Sequence, residues 1–322
     1  MQATTLPAAR VALVAGGAGF LGSALIQRLL HHGASVLCID NFSTGRRAAL
    51  APVLAHPRFR LVEADVRALP ALPGPPPTEI WNLACPASPT AWQADPAFVL
   101  TTCVNGTAAL LALARMQGAR LLHASTSEVY GDAASDPQHE DDAGRVDCTG
   151  PRACYQEGKR AAETLCAIAR AQGQDVRVAR LFNTYGPGMR QDDGRVVAAF
   201  VAAARAGAPL TLHGDGTQTR CFCFIDDMLD GLLALMARAG PPPPVNLGSD
   251  TAISMRDLAL LVVRLAGSTS RIEATPARPD DPRRRRPGLS RARALLGWAP
   301  RVALEDGLAR CIGVSAPPVT IG

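Results

Sequence analysis

Short apolar runs and amphipathic stretches alternate along the first half of the chain. Val11–Ala15 is apolar throughout and leads straight into glycines, the pattern of a strand buried on both faces. A helical pattern follows from Phe20 to His32, closed by Gly33, and a second apolar run, Ser35–Ile39, ends in Asp40. Strand-like runs recur at Phe59–Val62, Ile80–Leu83, Leu121–Ala124 and Val176–Leu181, with helical patterns at Thr102–Gln117 and Tyr155–Gln172. Strand and helix in alternation predict an α/β fold, a Rossmann-type doubly wound parallel sheet over residues 1–183. From 184 to 314 the segments shorten. Pro-Gly breaks fall at Gly186–Gly188 and Pro241–Pro244, and an Arg-Pro stretch runs from Pro276 to Pro287. These predict a smaller C-terminal domain for substrate, with residues 220–248 returning to the first domain.

Composition narrows the class. With 322 residues, 48% of them hydrophobic, a large core can be buried. The apolar runs are interrupted before the roughly 20 residues that cross a bilayer, and Met1–Arg10 lacks a signal-peptide pattern. The expectation is a soluble cytoplasmic protein with no membrane partner. Nine cysteines, without CxxC spacing or paired histidines, read as free thiols, so neither disulfides nor a metal site is expected. The net charge is +5, and the Arg283–Arg286 run lacks the aromatics and broad basic surface of a nucleic-acid site. Lys159 is the only lysine among 33 basic residues, and only five asparagines occur. A composition that replaces lysine by arginine so thoroughly marks the survivor as a residue needed for its amine.

Gly16, Gly19 and Gly22 form a GxxGxxG spacing between a strand and a helix that starts at Phe20 and Leu21. Residues without Cβ allow a tight turn and close approach to a pyrophosphate, which the helix N-terminus attracts. Asp40, at the end of the next strand, can accept bonds from both ribose hydroxyls and repels a 2′-phosphate, which favours NAD over NADP. Asp65-Val66, at the next strand end, is placed for the adenine or for a cap.

Tyr155 and Lys159 are four apart on one helical face. A phenol is a weak base at neutral pH, and a neighbouring ammonium is expected to lower its pKa. Thr126, Ser127 and Glu128 cluster where the Leu121 strand ends, the edge that lines ligand crevices in such sheets. Thr126 can bond a sugar hydroxyl beside Tyr155.

Together these residues resemble the extended short-chain dehydrogenases that act on nucleotide sugars, and within them the UDP-glucuronate decarboxylases. The resemblance is nearly full length. Its most discriminating segments are Pro86-Ala87-Ser88-Pro89 and Pro151-Arg152-Ala153-Cys154-Tyr155 with Gly158-Lys159, supported by Phe182–Pro187, Gln218-Thr219-Arg220 and Leu296-Gly297-Trp298. The resemblance implies that Gly16, Gly19, Phe20, Leu21, Gly22, Asp40, Asn41, Phe42, Thr44, Gly45, Asp65, Val66, Leu83, Ala84, Asn105, Tyr155 and Lys159 hold NAD. It places the UDP-sugar against Pro86, Ser88, Glu128, Asn183, Arg195, Val196, Thr211, Gln218, Arg220 and Arg285. Tyr155, Lys159, Thr126, Ser127, Glu128 and Arg285 are the implied catalytic set, with Arg285 one of the four arginines 283–286 that could enter the site. A homodimer through the Thr102 and Tyr155 helices is also implied.

The implied chemistry is redox-neutral. Tyr155 takes the sugar C4 hydroxyl proton while hydride leaves C4 for NAD. The C4 ketone is β to the C6 carboxylate, so carbon dioxide departs, C5 is protonated and the hydride returns. Related dehydratases carry an Asp where this chain has Ser127, an acid that decarboxylation does not need. A UDP-hexuronate 4-epimerase, release of the UDP-4-keto-pentose, and a non-catalytic NAD-sensing protein are the alternatives. Two departures from the family pattern stand out. Gly188 replaces a larger residue near the cofactor phosphates, with Arg190 as a possible substitute, and Trp92 stands where a tyrosine is usual.

Overall fold

The structure is a computed structural model and describes residues 10–132, 135–192, 194–276 and 285–313. Six strands in chain order, β1 (Val11–Ala15), β2 (Ser35–Asp40), β3 (Phe59–Glu63), β4 (Glu79–Asn82), β5 (Arg120–Thr126) and β6 (Val176–Leu181), form one parallel sheet. The spatial order is β3-β2-β1-β4-β5-β6, and Val245–Leu247 adds a seventh parallel strand beside β6. The order reverses between β1 and β4, and ligands bind in such sheets at the strand ends beside that switch point.

Alternation along β1 divides the core. Ala12 and Val14 face a cluster with Leu25, Ile26 and Leu29 of the Phe20–His31 helix and Met228 and Leu232 of the Ile225–Ala237 helix. Leu13 and Ala15 face the other side, with Leu110, Leu111 and Ala114 of the Thr107–Gln117 helix and Cys166 and Ala169 of the Ala153–Ala171 helix. Both faces are covered, which explains why the strands read as unbroken apolar runs.

After β6 the chain builds a smaller layer. The Val196–Ala206 and Met255–Leu265 helices pack around a parallel pair, Leu210–His213 with Ile272–Thr275, and an antiparallel pair, Thr219–Cys221 with Ala252–Ser254. The Ile225–Ala237 helix and the Val245–Leu247 strand then bring the chain back to the large sheet.

One element departs from the sequence reading. The predicted Thr102–Gln117 helix starts earlier: Pro96–Thr101 is α-helical, Thr102–Gly106 is a π-turn, and α-helix resumes at Thr107. A Cβ at Gly106 would lie 2.6 Å from a Val66 methyl, so the widened turn sits where backbone and side chain are pressed together. The whole stretch, Pro96–Gln117, is 22 residues and apolar enough by length and composition to cross a membrane, with Gly106 and Arg115 as the interruptions the sequence reading described. Thr101, Thr102 and Asn105 punctuate it without lowering its average hydropathy below that of a span.

The glycine turn depends on missing side chains. Gly16 has φ +78°, and a Cβ there would come within 2.7 Å of the Leu83 carbonyl. At Gly22 a Cβ would meet the Gly16 oxygen at 2.2 Å and the Gly17 Cα at 2.7 Å, so the helix is docked directly on the turn. Both obstacles are backbone and cannot swing aside. Gly22→Ala is expected to destabilise the fold by about 2 kcal/mol, the scale of core overpacking, read as a lower midpoint in urea unfolding; an unchanged midpoint would show that the turn yields.

Candidate active site

A cavity of about 730 Å³ opens at the strand ends between the large sheet and the smaller layer. Of the predicted residues, Gly16, Gly19, Phe20, Leu21, Gly22, Thr44, Leu83, Ser88, Thr126, Ser127, Glu128, Tyr155 and Lys159 line it. From the smaller layer and its approaches come Asn183, Arg195, Val196, Thr211, Gln218, Arg220 and Arg285. Asp40, Asn41, Phe42, Gly45, Asp65, Val66, Ala84, Pro86 and Asn105 lie off its wall. Arg283 and Arg284 fall outside the described residues.

The glycine end is built for an anion. Gly19 caps the Phe20–His31 helix with no side-chain bond, and the first turn carries no acid. Its amides are therefore left to a ligand. Asp40 anchors both neighbouring loops: Oδ2 accepts the Ala18 amide at 2.8 Å and Oδ1 accepts the Phe42 amide at 2.8 Å. Burial pushes its carboxyl up and those two bonds pull it back, with a net rise. Phe42, at φ 57°, lies under the Arg47 guanidinium, 4.4 Å from the ring centre. Asp65 is held by Arg67, at 2.8 Å to Nη2, and by the Asn41 amide at 3.2 Å. Asn105 is exposed on the π-turn. Gly188 stands in open space, while Arg190 reaches across to donate to the Thr44 carbonyl at 3.2 Å. The cradle fits a dinucleotide's phosphates and ribose.

The other end is set by the Ala153–Ala171 helix. Lys159, 4% exposed, donates to the Ala124 carbonyl at 2.7 Å. Tyr155 is 6% exposed, and burial drives its phenol well above the ordinary value, with Cys85 adding to the rise and a Thr126 hydrogen bond opposing it. The sequence reading had Lys159 lower the phenol; here the dominant influence on it is desolvation, and the Lys159 ammonium hydrogen-bonds the backbone.

Glu128 is the most heavily engaged carboxylate in the cavity. Arg285 Nη1 is 2.8 Å from Oε1, Arg152 Nη1 is 3.5 Å away, and the Gln156 amide donates to Oε2 at 2.9 Å. Burial pushes Glu128 up, but the two guanidiniums and the amide pull harder, and it stays below the usual carboxylate range. The stability these contacts supply is therefore present above the unfolded pKa of about 4.3 and is lost only as pH falls through the lower folded value.

Two residues outside the predicted set shape this end. Arg152 was legible as part of the discriminating segment, but nothing in its type pointed to Glu128. Trp92 lies flat on Tyr155, 4.6 Å between ring centres and 18° between planes, and its indole N–H donates to the Pro86 carbonyl at 3.1 Å. Ser88 caps the short helix that carries it, accepting from the Ala91 amide at 3.4 Å. The Pro86–Pro89 loop is thus tied to the phenol through one aromatic ring.

A glycine cradle beside an Asp-anchored loop, facing a buried tyrosine-lysine pair across one cavity, defines a dinucleotide-dependent enzyme of the short-chain dehydrogenase type. The chain belongs to the NAD dependent epimerase/dehydratase family, whose model matches residues 12–248, and NAD is its cofactor. UDP-glucuronic acid decarboxylase 1 of Danio rerio is 45% identical over 301 residues, 93% of this chain and 71% of that one. UDP-glucuronic acid decarboxylase 3 of Arabidopsis thaliana is 45% identical over 298 residues, 92% of this chain and 86% of that one. Among solved structures, the UDP-glucuronic acid 4-epimerase of Bacillus cereus, crystallised with UDP-4-deoxy-4-fluoro-glucuronic acid and NAD, superposes with a TM-score of 0.83 at 26% identity, covering 94% of this chain and 98% of that one.

Asp40→Asn puts an amide donor where two backbone amides need acceptors. Leaving a buried group unsatisfied costs about 1–3 kcal/mol. NAD affinity measured by titration calorimetry should fall about tenfold or more; unchanged affinity would separate Asp40 from the cofactor site.

Proposed function

We propose that the chain converts UDP-glucuronate to UDP-xylose and carbon dioxide. The observation that carries this reading is Glu128, held ionised by Arg285 and Arg152 directly after Ser127, in the same cavity as Tyr155. An ionised carboxylate beside a serine offers no acid to a departing hydroxyl, so elimination of water is disfavoured. Loss of carbon dioxide needs none. The decarboxylases at 45% identity support the same choice over the 4-epimerase at 26%.

In this reading Lys159, Thr126 and Tyr155 form the oxidising end. Bound NAD supplies a hydride acceptor that later gives the hydride back to C4. Thr126 orients the C4 hydroxyl, and Tyr155 takes its proton and returns it. Asn183 and Arg220 bind the diphosphate from the smaller layer, an amide and a planar cation suited to phosphoryl oxygens. Arg285 holds the C6 carboxylate until it departs, and Glu128 fixes Arg285 and orients the water that protonates C5. Trp92 screens the phenol from bulk water and keeps the keto-sugar from turning over.

Incubation with UDP-glucuronate and NAD, followed by NMR of the sugar and by trapping of carbon dioxide, should show UDP-xylose and carbon dioxide in equal amounts. Intact glucuronate, UDP-galacturonate or accumulating 4-keto-pentose would each overturn the assignment. Tyr155→Phe should lower kcat by at least about a hundredfold, the lower range for an acid-base group, with NAD affinity retained.

We propose further that the protein is a cytoplasmic homodimer. The Pro96–Gln117 stretch packs on the Ala153–Ala171 helix, where Gly158 leaves room for Cys103 and Leu100, and the two leave Leu100, Met116 and Ile168 exposed. This apolar face supports a helical seam between two copies. Ile168→Glu combined with Met116→Glu should yield a monomer in light scattering; an unchanged mass would place the seam elsewhere, and a monomeric parent protein would remove it.

A further inference from the structure

Beneath the Pro86–Pro89 loop two thiols meet. The Cys85 and Cys103 sulfurs are 3.1 Å apart, Cys85 on the cavity wall and Cys103 behind it on the π-turn, 1% exposed. They are also beside the chemistry. Cys85 packs with Trp92 and Tyr155, and a Cβ on Gly158, within the Tyr155–Lys159 turn, would lie 3.0 Å from the Cys103 Cβ. A shared hydrogen bond draws the Cys103 thiol below its ordinary value, helped by the Lys159 charge, while burial pushes Cys85 up. The two thiols thus share a hydrogen bond in the field of a buried ammonium.

We propose that Cys85 and Cys103 form an oxidisable dithiol, a modification site that cross-links the substrate loop to the turn under the catalytic helix. A hydroperoxide entering the cavity meets Cys85 first. The Cys85 sulfur attacks the peroxide; its O–O bond breaks, the Cys85 thiol proton passes to the departing oxygen, which leaves as alcohol or water, and Cys85 becomes a sulfenic acid. Cys103 then attacks that sulfur, the S–O bond breaks, and the hydroxide leaves as water with the Cys103 proton. Two thiols are oxidised, two hydrogens are lost, and the peroxide is reduced.

Bonded sulfurs lie about 2.05 Å apart, so closing the link brings the two sulfurs about 1 Å closer and pulls on the loop and the π-turn that carry them. A shift of that size beside reacting groups is enough to cost about a hundredfold in rate. The Trp92 stack and the support under Gly158 both lie on the path of that movement.

The test uses the purified protein treated with hydrogen peroxide, blocked with an alkylating agent, digested and mapped by mass spectrometry, with turnover of UDP-glucuronate followed in parallel. The expected result is a Cys85–Cys103 linked peptide, a loss of turnover of at least tenfold, and recovery of both on adding dithiothreitol. Cys103→Ser should keep its turnover under the same oxidant and give no linked peptide. Oxidation confined to the exposed Cys148, or a linked peptide with unchanged turnover, would overturn the proposal. If Cys103→Ser does not fold, the peptide map and its reversal in the parent protein decide alone. The activity readout rests on the decarboxylase reading, but the linked peptide does not, so the two fail separately.

Discussion

A lysine ammonium that is 4% exposed must find acceptors inside the protein, and Lys159 finds the Ala124 carbonyl at 2.7 Å. That bond is one rung of a polar ladder fastening the Ala153–Ala171 helix to the end of β5. Gln156 donates to Glu128 one turn before it, and Arg160 donates to the Val129 carbonyl at 2.9 Å. One turn beyond, Glu163 accepts from Ser125 at 2.5 Å and takes the Arg180 guanidinium at 2.7 Å. Positions 156, 159, 160 and 163 recur at helical spacing, so one face of one helix sets the height and roll of everything at the strand end. Tyr155 has no independent freedom on that face. Its place in the cavity follows from bonds made by its neighbours.

The same ladder explains the protonation pattern of the site. Burial raises an acidic group, and adjacent cations bonded to its anion lower it. Tyr155 is buried under Trp92 and remains a phenol; Glu128 faces two guanidiniums and remains a carboxylate. The two therefore hold opposite proton states at neutral pH, a few residues from the same strand end. A site that must take one proton and later return it benefits from that arrangement, because its base and its anion are not interchangeable.

Much of this was legible in the residue pattern, for identifiable reasons. The β1 turn, the helix beginning at Phe20 and the first six strands of the sheet follow from apolar runs buried on both faces and from glycines whose added Cβ atoms would strike backbone; the seventh strand, Val245–Leu247, was not read from the sequence. Lys159 stood out because the composition removed every other lysine. What escaped was mostly relational. The Arg152–Glu128 contact joins residues 24 apart through a loop with no periodicity, and the Trp92–Tyr155 stack joins residues far apart in sequence whose types fit many burial sites. The π-turn escaped for another reason. Its Gly106 lies against Val66, a contact far apart in sequence, and helical periodicity carries no sign of the wider turn. Asp40 was read as an acceptor for ribose hydroxyls, whereas its two bonds to the loop backbones are visible only once the loops are folded.

The Trp92 stack also bears on how one fold separates neighbouring reactions. Oxidation at C4 is common to decarboxylation and epimerisation, and they part only in what the keto-sugar does next. Epimerisation requires the sugar to present its other face, which needs room above the phenol. Here one face of the phenol is covered by an indole whose N–H is on the Pro86 carbonyl. Arg285 is engaged by Glu128 at 2.8 Å in the same cavity. In the proposed reaction a sugar carboxylate held by Arg285 shares that guanidinium with a buried anion, and its departure as neutral carbon dioxide leaves the Arg285–Glu128 pair.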